Sequence, residues 1–454
     1  MLPKKLTYFL NYTYANVSSL QRCMMRFPIM LINYTSLLPV PLAIIAFLYL
    51  WMTRKWSLPD YFLFAWSSCE MVFFLSWRKK MQEPFKRKPF AVALSQRLAF
   101  AKHFLDHAVN IQELFSQWMV ERPDGPLHLD HFKPLIDVLF FDKKAQGMTY
   151  EEKEVAEQIY HAFEEKFPPN PNPNKPSEKC RFISQTTDVF PAHPKPLIAC
   201  LIIQFLRNFT FYILHKLDFH RYETRKLAYW YRPGNSPEPP IAYIYGLGIG
   251  YFFYLPKIFA LLKAHPQRGM MLLELPHICM GPVNAIHDHD QFLKAFDAVM
   301  MRHDLEKVAV VGQSYGTIMA SWMIQQRPQH LSHAYLVDPV CFLMWDPELI
   351  YSFLYEDPKC MFHELAREFL SRDPRIMHTL TQELYWYESN LYPEEITVPT
   401  TVFLAEDDWI VNPIAHKEYL EKRLPSHSKL VMLDTFHGGV LFHHDYTSQF
   451  IANL

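Results

Sequence analysis

The chain is 454 residues long, more than one hydrophobic core usually reaches, so more than one region is expected. Its 45 Lys and Arg balance 46 Asp and Glu for a net charge of -1, which removes any electrostatic reason to propose nucleic acid as a partner. The seven cysteines are odd in number, scattered and without a Cys-x-x-Cys pair, so neither a disulfide framework nor a zinc ribbon is expected, and a reducing compartment is the simpler setting.

Residues 1–90 read as a membrane-anchoring region. Ile29 to Met52 carries no charge and is long enough to cross a bilayer, which needs roughly 20 apolar residues. It starts too far from Met1, and lacks the small-residue cleavage site, for a secretory signal. Pro39 and Pro41 near its middle would kink a helix, so a hairpin in one leaflet is an alternative to a single span. A second apolar stretch, Leu58 to Trp77, contains Asp60 and Glu70. Charge at membrane depth is costly, so an interfacial or re-entrant helix is expected there ahead of a full second span, with two buried helices of a soluble core as the competing account. Arg54, Lys55, Arg78, Lys79, Lys80, Lys86, Arg87 and Lys88 follow these stretches and place the large C-terminal part in the cytosol by the positive-inside rule. Asn-x-Ser/Thr tripeptides at Asn11, Asn16 and Asn33 would suit a lumenal N-terminus. An endoplasmic-reticulum or lipid-droplet membrane is the expected location.

Residues 91–167 read as mostly helical. Leu94, Leu98, Ala101, Leu105, Ala108, Ile111, Phe115 and Trp118 follow at steps of three or four, an amphipathic pattern. His103 and His107 have a metal-ligand spacing, but a lone pair on a helix is expected to be packed or solvated. The Pro/Asn run at 168–178 cannot be helix or sheet and reads as a linker. Pro196 to Leu217 is an apolar helix interrupted by Arg207 and His215, placed either on a membrane or against the following domain. Arg221 to Tyr231 alternates like one strand and ends at the turn Arg232-Pro233-Gly234-Asn235. Then Ile241–Tyr245, Met270–Leu275, Val308–Gly312 and Leu331–Val337 read as strands, with a helix at Asp290–Arg302. Strands alternating with helices predict a parallel α/β sheet.

Within that pattern Val308-Ala309-Val310-Val311-Gly312-Gln313-Ser314-Tyr315-Gly316 joins a β-branched strand to an apolar helix through a serine flanked by glycines. A serine hydroxyl is a poor nucleophile until a tight turn presents it beside a base, and small residues two positions either side allow that turn. Acyl transfer by serine also needs an acid to orient the base and donors for the oxyanion. Thr400–Leu404 reads as a strand running into Glu406-Asp407-Asp408-Trp409-Ile410-Val411, and Leu430–Leu433 as one running into Asp434-Thr435-Phe436-His437-Gly438-Gly439.

These residues resemble the α/β-hydrolase superfamily over roughly residues 220–454, and more narrowly the membrane-associated fungal-type hydrolases with an N-terminal anchor and a helical spacer. The resemblance implies an α/β-hydrolase domain at 179–454 with a mostly parallel sheet and a helical lid at about 339–398. It implies Ser314 as nucleophile, His437 as base and Asp408 as acid, since Asp408 carries the x-Ile-Val pattern that Asp407 lacks; Asp338 and Asp407 are the alternative acids. The oxyanion donors would be the N–H groups of Tyr315 and Leu247, with Gly248 the runner-up. Where the superfamily has His-Gly-x-Gly this chain has Tyr245-Gly246-Leu247-Gly248, which leaves the support of that loop in question. Serine at position 314 separates the chain from the dehalogenases and epoxide hydrolases, which place aspartate there. His277, His287 and His289 are expected to be loop histidines, and no cofactor or metal is implied. The expected activity is hydrolysis of a carboxylic ester, from a lipid or other apolar acyl substrate. Acyl transfer to an alcohol, or a catalytically silent scaffold or lipid-binding role, is the alternative.

Overall fold

The computed structural model describes residues 45, 48–49, 52, 57–81, 92–123, 125–143, 145–170, 180–186, 188, 190–191, 195–280 and 288–454. Most of the 29–52 run, residues 171–178 of the linker and His287 lie outside the described residues. The described residues divide into two compact units, those of Met1–Phe85, Val189–Met344 and Ser352–Leu454, and those of Lys86–Asp188 and Trp345–Tyr351.

Helix α1, Leu58–Met81, belongs to the first unit. Its Asp60 accepts from the backbone N–H of Ser57 at 2.8 Å and so caps the helix start.

The second unit is built from α2 (Arg97–His107), α3 (Ile111–Gln117), the paired strands β1 (Met119–Glu121) and β2 (Arg181–Phe182), α4 (Leu129–Phe141) and α5 (Tyr150–Phe163). The single stripe expected from Leu94 to Trp118 is broken. Asn110 takes φ 47 and its side chain caps α3 by accepting from Glu113 N, which ends α2 and starts a new helix in another direction. The buried face of α2 is therefore Arg97, Ala101, Phe104 and His107, with Leu98 and Leu105 only half-buried. Phe104, Phe115, Phe140 and Phe163 pack ring to ring at 5.6–6.3 Å, and Trp345 meets Phe104 edge-on at 5.3 Å. His103 and His107 lie ring against ring, and His107 Nδ1 bonds the His103 carbonyl at 3.0 Å.

In the first unit the chain resumes with α6, Leu197–Lys216, the one helix among the described residues long and apolar enough to cross a membrane, with mean hydropathy 1.8. Buried Glu70 of α1 accepts the Leu197 N–H at 2.8 Å, so its charge is used to cap the start of α6. Then come β3 (His220–Thr224), β4 (Leu227–Arg232), β5 (Ile241–Ile244), α7 (Leu255–Ala264), β6 (Met270–Leu273), α8 (His289–Arg302), β7 (Val308–Gln313), α9 (Gly316–Gln326) and β8 (Leu331–Val337). The stretch expected to form one strand from Arg221 to Tyr231 is a hairpin instead. Arg225 and Lys226 take φ 49 and 68, and β3 folds back on β4 with Thr224 opposite Leu227. Two consecutive left-handed residues give the turn whose twist suits a two-residue hairpin, without the Asn-Gly that would announce it.

After β8 the insertion is helical. It comprises α10 (Pro347–Ile350), α11 (Met361–Ala366), α12 (Pro374–His378) and α13 (Trp386–Ser389), with wider π-type turns continuing the first three at Tyr351–Tyr355, Arg367–Ser371 and Thr379–Glu383. The chain closes with β9 (Thr400–Asp407), α14 (Pro413–Arg423), β10 (Lys429–Phe436), α15 (Gly439–Phe442) and α16 (His444–Ile451).

The eight-stranded sheet runs β10-β9-β8-β7-β5-β6-β4-β3, parallel from β10 to β6 and antiparallel at β4 and β3. Every residue of β7 is buried, as a central parallel strand covered on both faces requires, which explains its unbroken apolar run. This is the α/β-hydrolase fold. Because β5, β7, β8, β9 and β10 are parallel, the loops leaving their C-terminal ends gather at one edge of the sheet, where such sheets place their sites.

Candidate active site

Ser314 stands between β7 and α9 with φ 50, a left-handed conformation costly for a non-glycine residue and held by its surroundings. Its N–H donates to Val337 O at 2.9 Å, and its carbonyl accepts from Thr317 Oγ1 at 2.6 Å. The flanking glycines have a steric cause. A Cβ on Gly312 would lie 2.8 Å from Gly316 O, and one on Gly316 would lie 2.3 Å from Ile244 O, so strand, turn and helix could not close with larger residues.

His437 follows β10 and reaches back to the serine. Its Nε2 lies 2.8 Å from Ser314 Oγ and its Nδ1 lies 2.7 Å from Asp408 Oδ2, at the end of β9. With Nδ1–H donating to the carboxylate, Nε2 is left to accept the serine proton. The Asp408 side chain is 1% exposed, and its Oδ1 accepts the N–H groups of Ile410 at 2.8 Å and Val411 at 3.1 Å. That turn fixes the Asp408 carboxylate through the backbone of the residues that follow it. Asp407 is exposed at the strand end.

Asp338, after β8, is fully buried with φ 47, and its Oδ2 accepts the Gly438 N–H at 2.8 Å. It thus holds the backbone beside His437 while Asp408 holds the ring. Burial pushes the Asp338 carboxyl up to about 6, with Asp408 adding to the shift. Burial disfavours the imidazolium form of His437, yet the charge and hydrogen bond of Asp408, helped by Asp338, hold its pKa above the ordinary value.

The glycine loop after β5 touches the serine. A Cβ on Gly246 would lie 2.8 Å from Ser314 Cβ and 3.3 Å from its Oγ. The Gly246 N–H donates to Tyr254 Oη, and the Gly248 N–H donates to Ile278 O at 3.2 Å, so Gly248 is committed elsewhere as a donor. Leu247 lies between them, and Tyr315 sits at the start of α9, where helix N–H groups lack intrahelical acceptors. Tyr245 provides the loop support that its replacement of histidine left in question. Its hydroxyl accepts the Leu275 N–H at 2.6 Å and lies 3.0 Å from Cys279 Sγ.

A layer behind the serine escaped the sequence reading. Gln313 Oε1 accepts from Tyr243 Oη at 2.6 Å and from Lys257 Nζ at 3.3 Å, fixing the residue before Ser314. Lys257 lies fully buried over the Phe450 ring at 3.8 Å, and burial lowers its pKa to about 7. The one available signal was a lone cation inside the apolar helix Leu255–Ala264. His277 is buried 6.1 Å from the Tyr315 ring, and His289 packs on Trp322 beside Asp290.

A family profile described as the alpha/beta hydrolase fold matches residues 284–360, a span that holds Ser314 and Asp338 and ends before Asp408 and His437. Among curated protein sequences no match is found. Among solved structures, carboxylesterase CesB from Bacillus subtilis is similar with TM-score 0.43 and 13% identity, over 56% of this chain and 96% of that one. Naproxen esterase from Bacillus subtilis gives TM-score 0.41 and 13% identity, over 55% and 97%. A bacterial membrane phospholipase A gives 0.39 and 15%, over 57% and 94%.

Proposed function

We propose that this chain is a membrane-associated serine hydrolase that cleaves a carboxylic ester with an apolar acyl group. The observation that carries this reading is the unbroken chain from Ser314 Oγ through both nitrogens of His437 to buried Asp408. Ser314 Oγ attacks the ester carbonyl as His437 Nε2 takes its proton, and Asp408 stabilises the imidazolium so formed. The N–H groups of Tyr315 and Leu247 receive the oxyanion. On collapse the alcohol leaves with the proton from His437, giving an acyl-serine that water then cleaves by the same sequence in reverse roles. The resident groups supply every proton position this needs.

An apolar acyl group is supported by the insertion, where Phe353, Leu354 and Ile376 are buried and Phe369, Leu370 and Leu380 are partly buried. Membrane association is supported by the uncharged run 29–52, and the basic residues after it favour a cytosolic catalytic unit on the endoplasmic reticulum or a lipid droplet. A panel of esters of increasing acyl length, given to the wild type and Ser314→Ala, tests the activity. The wild type should hydrolyse the longer esters best and the variant none. Equal turnover by both would overturn the reading, and product appearing as a new ester only when an alcohol is added would assign acyl transfer instead.

A further inference from the structure

Helix α6 is mostly apolar, with Gln204, Arg207 and Asn208 near its middle and Gln204 donating to Asn208, and its two sides meet different surroundings. On the inner side Ile203 and Leu206 pack in one cluster with Leu247 and Ile249 of the glycine loop and with Leu370 and Ile376 of the insertion. Buried Lys195, just before the helix, ties the same region to the insertion through Glu368 Oε1 at 3.3 Å. On the outer side Ile198, Leu201, Ile202, Phe205, Phe209 and Tyr212 recur at steps of three or four and are 44–67% exposed. A surface helix facing water would carry polar residues at those positions. Helix α1 repeats the pattern with exposed Leu58, Tyr61, Phe62, Val72 and Leu75, and Glu70 joins it to the start of α6.

The occupant of this face follows from what adjoins it. The uncharged run 29–52, whose length and composition would suit a bilayer span, ends six positions before Leu58 in the sequence. Exposed Lys216 ends α6, and exposed Arg225 and Lys226 cap the neighbouring hairpin, the charge expected beside anionic headgroups. The length of α6 would let it cross a bilayer, but its inner side is packed on the hydrolase unit, which leaves only its outer side to meet lipid.

We infer that α6 and α1 form a bilayer-seated platform whose inner side carries the oxyanion loop and the lid, so that the site takes its ester from the membrane. This rests on the ester-hydrolase reading for its substrate. It does not rest on that reading for its placement.

The test uses the full chain in vesicles of phosphatidylcholine and phosphatidylserine. In the Ile202→Glu/Phe205→Glu double variant, hydrolysis of p-nitrophenyl acetate in water should match wild type, while hydrolysis of diacylglycerol within the vesicles should fall by about tenfold or more. Separately, Phe205→Trp should add emission that brominated lipid quenches beyond the quenching of wild type. Equal loss on both substrates, or loss on neither, would overturn the inference, as would unquenched Trp at position 205 or photobleaching that counts two copies covering the face. If wild type cleaves neither ester, the hydrolase reading falls, and the quenching alone decides the placement.

Discussion

Asp338 and Asp408 divide one task, since Asp408 orients the His437 ring and Asp338 holds the next backbone N–H. Asp408→Asn should lower kcat by about 10⁴, the scale expected when the imidazole loses its orienting carboxylate, while leaving the fold intact by circular dichroism. In the proposed mechanism His437 must be neutral to accept the serine proton, and its pKa is raised above 6.5, so kcat/KM should fall as pH drops through a midpoint above that value. Asp338→Asn removes one of the charges that raise it, so the midpoint should move to lower pH; an unchanged midpoint would detach Asp338 from His437. Gly246→Ala should cost at least about tenfold in kcat, because the added methyl would sit 2.8 Å from Ser314 Cβ. The strand-end positions of Ser314, Asp408 and His437, which the fold brings within hydrogen-bond reach, were legible because each follows a strand with its own local pattern. Lys257 and Tyr243 were not, because their partner Gln313 is distant in sequence and meets them through the fold.

At the scale of elements, strand and helix order from Ile241 onward could be read from apolar runs, and the errors fell where one or two left-handed residues reversed the chain. Asn110 at φ 47 split a predicted helix, and Arg225 and Lys226 at φ 49 and 68 split a predicted strand. Neither position carries glycine, the residue that usually marks a left-handed turn. A non-glycine residue held there costs roughly 1 kcal/mol, so Arg225→Asn with Lys226→Gly should stabilise the hairpin. Thermal melting should show Tm raised by about 2–4 °C. A lowered Tm would mean that the two basic side chains contribute more to the hairpin than the backbone strain removes.

For the whole molecule, the parallel order of β5, β7, β8, β9 and β10 brings residues 246, 314, 338, 408 and 437 to one edge of the sheet. That convergence was foreseeable only through the resemblance, since no local pattern specifies strand order. The two apolar faces of α1 and α6 were legible as apolar stretches, whereas which side of each is exposed depends on packing that sequence periodicity leaves open when apolar residues outnumber the few polar ones on a helix. The central claim is that this assembly makes Ser314 a nucleophile. Treating full-length protein with a fluorophosphonate and measuring its mass tests that claim most directly. One adduct should form, mapping to the peptide of Ser314, and it should be absent from Ser314→Ala; an unmodified wild type, or an adduct that persists in the variant, would contradict it.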